Sequence, residues 1–508
     1  MKAVKGKLYF GGVHPHDCKD LSKAAALEVM PAPEIIAVSC AQSLGRPAAP
    51  IVEVGTEVVE GEVIARAEGP ISSDVFASVC GTVTEIKDAV GANGGLEKFI
   101  FIKQNGKTDK FRFPPLSSPT ADEIKARIKD CGIVGLGGAG FPAAVKVAPR
   151  TPVDTLILNG AECEPYLTCD HRLMLEHTDE IARGARLIAT TLGVKNIIIG
   201  IEANKPDCIK AFEPYEDIKV VILKKQYPMG GEKQLIYVTT GRRVGLGKLP
   251  ADCGVVVQNV ATCFAVCEAV EQGKPLYERI VTVSGKGIKN PKNIWVRVGT
   301  SVKDIVDFCG GEIYAKQLEK DKKSIKKDAE NKTETADYAE RAEKSVVKKV
   351  VQGGPMTGVA LANLDVYTHK TTSGVLLLSA DEAAAEEPTP CLNCGKCADV
   401  CPMHLMPMNT AFYSAAGDFD AAAKFGNTAS CIECGACEFI CPAKRPLIQA
   451  IRKTKAYMRS KMTGGAPVPP KPVDQKGRSA PLVPPTVDGK HDEKKDDTKT
   501  DEKEKDNG

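Results

Sequence analysis

The run Cys391-Leu-Asn-Cys394-Gly-Lys-Cys397-Ala-Asp-Val-Cys401-Pro402 returns further along the chain as Cys431-Ile-Glu-Cys434-Gly-Ala-Cys437-Glu-Phe-Ile-Cys441-Pro442. Each run places three cysteines two residues apart and a fourth three residues on, just before a proline. A closed zinc site also takes four thiolates but does not require this triple spacing, whereas a cubane iron–sulfur cluster uses it directly. Gly395 and Gly435 let each loop curl so that backbone N–H groups approach the sulfides, and Pro402 and Pro442 turn the chain away. These runs hold eight of the nineteen cysteines. The odd total argues against a disulfide framework, and the other eleven, scattered singly, read as small buried residues or free thiols. Met403, His404, Met406 and Met408 read as packing beside the first run.

Working outward, 508 residues with 43% hydrophobic and 26% charged side chains are enough for several domains. Lys+Arg 68 against Asp+Glu 65 leaves a formal charge of +3, which makes no general case for nucleic acid or an anionic bilayer. No apolar run approaches the ~18 residues of a membrane span. The N-terminal Met1-Lys-Ala-Val-Lys is followed by no apolar h-region, so a reducing compartment is expected.

The expected fold class is multidomain α/β plus β. A lead segment 1–45 precedes a β-domain at 46–110, where Ile51 to Ala65 and Val75 to Ile86 read as Gly-punctuated hairpins similar to a lipoyl/biotinyl-carrier β-sandwich. Ser72-Ser73-Asp74 stands where a carrier would present its modified lysine, so no carrier role is expected. Over 111–278, strand-sized apolar runs (Val153 to Leu158, Val194 to Ile201, Ile218 to Leu223, Gly254 to Val260) alternate with helical stretches such as 121–129 and 170–191. That alternation predicts a parallel sheet with a ligand beyond its carboxyl ends. Gly135-Leu-Gly137-Gly138-Ala-Gly140-Phe141-Pro142 matches G-x-G-x-x-G, but a helix precedes it and Phe-Pro interrupts it. A plain turn, or a loop pressed against a planar ring or phosphate with Lys146 adding charge, both fit. Residues 279–378 return to β alternation around a charged insertion, 315–348, and include Trp295, read as core. The cysteine module occupies 379–462, and 463–508 form a Pro-rich, charged tail expected to be disordered.

Four motifs in order carry a resemblance. Gly137-Gly-Ala-Gly-Phe-Pro with Lys146 is similar to the flavin loop of the NADH-oxidising subunit of respiratory complex I and related hydrogenases. Asn159-Gly-Ala-Glu162-Cys-Glu164-Pro165 resembles that family's Asn-Ala-Asp-Glu-x-Glu-Pro, Tyr227-Pro-Met-Gly230-Gly231-Glu232 its Tyr-x-x-Gly-Glu-Glu, and Gln258-Asn259-Val-Ala-Thr262 its Asn-Asn-Val-Glu-Thr. The opening Gly11-Gly-Val-His14-Pro, the carrier-like domain, Gln352-Gly-Gly-Pro-Met-Thr-Gly and the cysteine module narrow the match. Over about residues 5–455 the chain resembles the C subunit of Rnf complexes, bacterial membrane assemblies that exchange electrons between ferredoxin and NAD while moving sodium ions or protons.

The resemblance implies noncovalent FMN held by Gly135, Gly137, Gly138, Phe141, Lys146, Asn159, Gly230, Glu232 and Asn259, with Glu162 and Tyr227 on the NAD(H) side. The cysteine runs resemble two-cluster ferredoxins, in which the fourth cysteine serves the other cluster. One [4Fe-4S] cluster would take Cys391, Cys394, Cys397 and Cys441, the other Cys431, Cys434, Cys437 and Cys401. The β-rich 279–378 is similar to a β-grasp, SLBB-like module. Ala161 and Gly231 stand where complex I has carboxylates. The implied role is an electron-transferring oxidoreductase and translocase subunit. It would be peripheral on the cytoplasmic face of the bacterial inner membrane, with membrane and iron–sulfur subunits of the same complex as partners, ferredoxin reached indirectly and no nucleic acid. A soluble NADH:acceptor flavin reductase and a flavin-less iron–sulfur relay adaptor are the alternatives.

Overall fold

In the computed structural model of the chain, which describes residues 3–312, 346–383 and 386–462, the Ile/Val/Leu-rich runs pair as a parallel sheet. Its order is Val4–Lys5, Ile218–Leu223, Asn196–Glu202, Thr155–Gly160, Val255–Asn259. The inner strands are buried along nearly their whole length because helices cover both faces, which is why they read as unbroken apolar runs. Thr120 and Glu123 form a capping box that starts the helix Ala121–Asp130. The expected helical stretch 170–191 is two helices, Cys169–Glu176 and Thr178–Leu192, separated at His177. The first of them has its N-terminus beside Glu162, just past the strand Thr155–Gly160.

The lead segment 1–45 is not a unit of its own. Val4–Lys5 edges the parallel sheet, Leu27–Val29 pairs with Lys292–Arg297, and Ile35–Ser39 pairs with Leu96–Gln104. The carrier-like domain therefore begins before residue 46. It packs the antiparallel sheet Ile35–Ser39, Leu96–Gln104, Gly81–Val90, Glu57–Val58 on the smaller sheet Ala49–Pro50, Val63–Arg66, Val75–Phe76. Ile36, Val38, Ile64, Ile100 and Ile102 fill the space between.

At the Ser72–Asp74 turn, Asp74 binds Arg66 at 2.7 Å and the Ala67 amide at 2.8 Å. Fully buried Lys370 donates to Ser73 Oγ (3.2 Å), Asp74 O (2.8 Å) and Gly132 O (2.9 Å). The turn that would carry a swinging lysine is instead clamped between the β-domain, the parallel-sheet domain and the β-grasp sheet.

That β-grasp sheet runs Val359–Ala360, Val347–Gln352, Gly374–Ser379, Glu278–Ser284, Lys292–Arg297, Leu27–Val29, with the helix Val302–Phe308 packed on it. Val347 already belongs to a strand, so the charged insertion ends before 348; its residues 315–345 lie outside the described ones, as does the tail. Trp295 is half-buried against Phe264.

In the cysteine module the two runs adopt one conformation twice. Asn393 and Glu433, Gly395 and Gly435, and His404 and Lys444 all take positive φ at matching places. Helices Pro407–Ala415, Phe419–Gly426 and Leu447–Met462 pack on one another beside the runs. The expected Met/His packing holds only in part: Leu405 is the buried residue, Met408 Sδ lies 3.9 Å from Cys397 Sγ, Met406 is exposed, and exposed His404 stacks on Phe10. Among the described residues no helix is long and apolar enough to cross a membrane.

Candidate functional site

At the carboxyl ends of Thr155–Gly160 and Val255–Asn259 lies a cleft of about 420 Å³, within the size range of cofactor sites. Gly137, Gly138, Asn159, Glu162, Gly230 and Asn259 all line it. The glycine loop is closed by Gly135 N donating to Phe141 O (2.8 Å) and Gly140 N to Gly135 O (3.2 Å), and is tied to the distant helix Val260–Glu271 by Leu136 N donating to Thr262 Oγ1 (3.0 Å). Gly138 has φ +109°, and no atom lies within 4 Å of where its Cβ would stand, so the loop presents bare backbone to the cleft. Asn159 Nδ2 donates to Gly230 O (2.9 Å), joining two walls. Asn259 caps the helix Val260–Glu271 through Ala261 N (2.8 Å) and donates from Nδ2 to Asp170 Oδ2 (2.7 Å).

The floor is acidic and buried. Glu162, at φ +45°, accepts from the Asp170 amide (2.7 Å) and the His171 amide (3.3 Å), so it caps the helix Cys169–Glu176. Its side chain is 3% exposed and lies 3.8 Å from Lys19 Nζ. It is not a solvated carboxylate beside a turn. Burial, reinforced by the charge of Glu162, pushes the Asp170 carboxyl up to about 7. Burial also raises Glu164, which accepts from Thr357 Oγ1 (2.5 Å) and Met356 N (3.1 Å).

Five of the expected site residues do not line the cleft. Gly135 and Phe141 act through the loop's closing hydrogen bonds. Lys146 Nζ pairs with Glu232 Oε1 (2.7 Å) and donates to Val257 O (3.1 Å). Tyr227, 3% exposed, points at the cysteine module and donates to Cys434 O (2.7 Å). Conversely, Asp170, His369 and Glu97 stand in none of the quoted motifs, and Cys163 and Gln352–Gly354 stand in motifs that assigned them no place in the cleft, yet all line it. His369 Nε2 lies 3.0 Å from Glu97 Oε2. The only local signal for Asp170 is its place in the first turn of a helix that follows Glu162.

In the cysteine module, Cys401 from the first run lines one small cavity together with Cys431, Cys434 and Cys437 from the second. Amides already face the sulfurs: Leu405 N to Cys401 (3.3 Å), Glu433 N to Cys431 (3.3 Å) and Asn393 N to Cys391 (3.5 Å). Cys391 and Cys394 are exposed. The second run packs on the cleft domain through Val13, Tyr227 and Ala436, with Cys163 and Cys434 against the same apolar cluster. Gly12 N donates to Val400 O (2.8 Å) and Gln234 Nε2 to Pro402 O (3.1 Å), fixing the two domains together.

Family models match in the order the fold shows: an RnfC barrel sandwich hybrid domain over 8–107, a Nuo51 FMN-binding domain over 128–268, an SLBB domain over 280–320 and a 4Fe-4S dicluster domain over 384–442. The C subunit of the proton-translocating ferredoxin:NAD(+) oxidoreductase complex of Clostridium ljungdahlii is 41% identical over 464 residues, 89% of this chain and 94% of that one. The chain belongs to the RnfC family. The Na(+)-translocating counterpart of Acetobacterium woodii is 39% identical, covering 89% of this chain and 97% of its own. The C subunit of the ion-translocating oxidoreductase complex of Rhodobacter capsulatus is 40% identical, covering 82% and 76%. Among solved structures, the air-oxidized NAD+-reducing [NiFe]-hydrogenase aligns with a TM-score of 0.42 at 19% identity, covering 66% of this chain and 64% of that one.

The cofactors of this RnfC chain are FMN and two [4Fe-4S] clusters. The residues present fit both: a glycine loop with no Cβ filling the cleft, and four thiols from two separate runs converging on one cavity.

Proposed function

We propose that the chain is the NAD(H)-reacting subunit of an ion-translocating ferredoxin:NAD+ oxidoreductase, passing electrons between NAD(H), FMN and its two [4Fe-4S] clusters. Bound FMN supplies the exchange between a two-electron hydride and the single electrons that cubane clusters carry. Gly137 and Gly138 give the flavin a flat backbone bed, Asn159, Gly230 and Asn259 hold the opposite walls, and the Lys146–Glu232 pair steadies the strand end behind them. NAD(H) enters the same cleft. Glu162 holds the cleft floor as a helix cap, and Tyr227 serves the junction with the second cysteine run instead of the nicotinamide.

The observation that carries this reading is Cys163, which lines the cleft and packs in the same apolar cluster as Cys434. Cys401, Cys431, Cys434 and Cys437 would therefore hold the cluster on the side nearer the cleft. Cys391, Cys394, Cys397 and Cys441, the first two exposed, would hold the other cluster on the side open to the partner iron–sulfur subunit, which deals with ferredoxin. The chain sits on the cytoplasmic face of the membrane, held there by the membrane subunits. Relatives named for ion translocation support that placement, and no described helix is long and apolar enough to cross the membrane itself.

The test is anaerobic purification followed by iron, acid-labile sulfide and acid-released flavin on one sample, then addition of NADH. About eight irons, one FMN and bleaching of both chromophores are expected. Full iron without flavin and without an NADH response would refute the reading.

A further inference from the structure

Behind the cleft runs a line of buried ionisable side chains that the electron path does not use. On the floor, the carboxylates of Asp170 and Glu162 and the Cys169 thiol each bring an atom within 4.8 Å of the others. Glu162 Oε2 lies 3.8 Å from Lys19 Nζ. Lys19 and Glu202 line a second, small cavity of about 10 Å³, close to the space of one water, whose outer rim is His14, Asp17 and Lys225. Lys205 Nζ lies 3.7 Å from Glu202 Oε2 and donates to Asn204 Oδ1 (3.2 Å), while Asn204 Nδ2 donates to Asp17 Oδ2 (3.3 Å). Asp17 pairs with Lys225 at 2.9 Å and is one-quarter exposed. The line thus starts in the cleft and ends in solvent on the far side of Glu162.

Its cost argues for a use. The side chains of Lys19, Glu162, Glu202 and Lys205 are 6%, 3%, 3% and 0% exposed. Buried ion pairs are commonly no better for stability than apolar residues of the same size. Lys19 and Lys205 spend their other hydrogen bonds on backbone carbonyls, Glu164 O (3.0 Å) and Ala161 O (2.7 Å), which fixes their ammonium groups beside the carboxylates.

Oxidation of NADH by one-electron acceptors balances as NADH → NAD+ + H+ + 2e−. The two electrons leave through the clusters, and the proton must leave the cleft by another way. We propose that Asp170, Glu162, Lys19, Lys205 and Glu202 form the route by which this proton passes between the cleft and solvent at Asp17. The route rests on the reading that NADH is oxidised in this cleft. Asp170 takes the proton as a neutral carboxylic acid and hands it to Glu162; Lys19 gives one ammonium proton to Glu202 through the small cavity as it takes the proton from Glu162, Lys205 keeps its own charge beside Glu202, and Glu202 releases the proton to water beside Asp17. In the reverse direction the same groups bring a proton in.

Two carboxyls at the ends of the line are poised for this exchange. Burial raises both Asp170 and Glu202 to about 7, where either protonation state is accessible. Asp170 is faced by Glu162, Cys169, Arg279, Lys205 and Asn259. Glu202 is faced by Lys205, Lys19, Glu162, Asp17, Cys163 and Tyr9.

The experiment uses the full chain carrying FMN and both clusters, mixed rapidly with NADH in H2O and in D2O across the pH range around neutrality. It is paired with redox-difference infrared spectra in the carboxylic-acid carbonyl region. Asp170→Asn keeps the acceptor for Asn259, and Glu202→Gln lies outside the cleft. Each is expected to slow the cluster-bleaching phase by about a hundredfold, the usual size of a lost acid–base group. Each should also flatten the pH profile near 7 and remove one carboxylic-acid band. Variants with normal flavin content, unchanged rates, pH profile and isotope effect, and no missing band overturn the route. If Asp170→Asn fails to hold flavin, Glu202→Gln decides alone. If the unsubstituted chain does not bleach with NADH, the functional reading falls and the route falls with it.

Discussion

The Tyr227 hydroxyl donates to the carbonyl of Cys434 across 2.7 Å, and the same oxygen lies 3.4 Å from Glu164 Oε1. One phenol thus ties the end of a cleft wall to the second cysteine run. Removing it tests how much of that junction depends on a single polar contact.

Tyr227→Phe leaves the ring in its buried place and strands the Cys434 carbonyl. A cost of about 1–3 kcal/mol is expected, the usual penalty of one unsatisfied buried group. Denaturant unfolding of the cofactor-loaded chain measures it, with iron and flavin content unchanged. A loss of flavin instead would place Tyr227 in the cofactor's own contacts.

At Gly138, φ +109° excludes an ordinary side chain, and the space beside it opens into the cleft. Backbone strain of about 1–3 kcal/mol plus a branched side chain on the flavin bed should make Gly138→Val lose FMN at least about tenfold in affinity. Flavin titration reads the effect, and the iron content is the internal control.

Cys401 is in the first run by sequence but lines the cavity of Cys431, Cys434 and Cys437. Cys401→Ser should therefore retain about four of about eight irons, with the remaining paramagnetic signal matching that lost in Cys394→Ser. Identical residual spectra from the two variants would contradict the pairing.

The raised carboxyls give stability a definite slope. In the unfolded chain Asp and Glu titrate near about 4, whereas folded Asp170 and Glu202 sit at about 7. Between these values the folded chain binds more protons, so their contribution is full below about 4 and is lost as pH rises through about 7. Thermal midpoints of the flavin-free chain should fall across that window, and Asp170→Asn should reduce the fall.

Much of this was legible in the linear chain for a physical reason: ligand spacing, hydrophobic period and turn chemistry act over a few residues. The doubled cysteine runs, the Gly135–Phe141 loop and the strand-sized apolar runs around Val153 to Val260 all carry their signal locally. Strands buried on both faces must be apolar throughout, so a parallel sheet shows in composition. Residues 1–45 gave no such signal, because Val4–Lys5, Leu27–Val29 and Ile35–Ser39 are short edge additions to three different sheets, and their pairing is decided by the partner strand.

The sequence by itself determined the chemistry this protein can carry, namely two sets of cluster thiols and a glycine loop on a parallel α/β sheet, because those properties reside in neighbouring residues. Only the tertiary structure decided that Tyr227 turns to Cys434, that Asp170 and Glu162 share the cleft floor, and that Lys19 reaches Glu162 from a distant part of the chain. Two of those contacts join residues far apart in sequence, the third needs the helix Cys169–Glu176 to fold back onto Glu162, and all exist only once burial and hydrogen bonding have brought separate elements together.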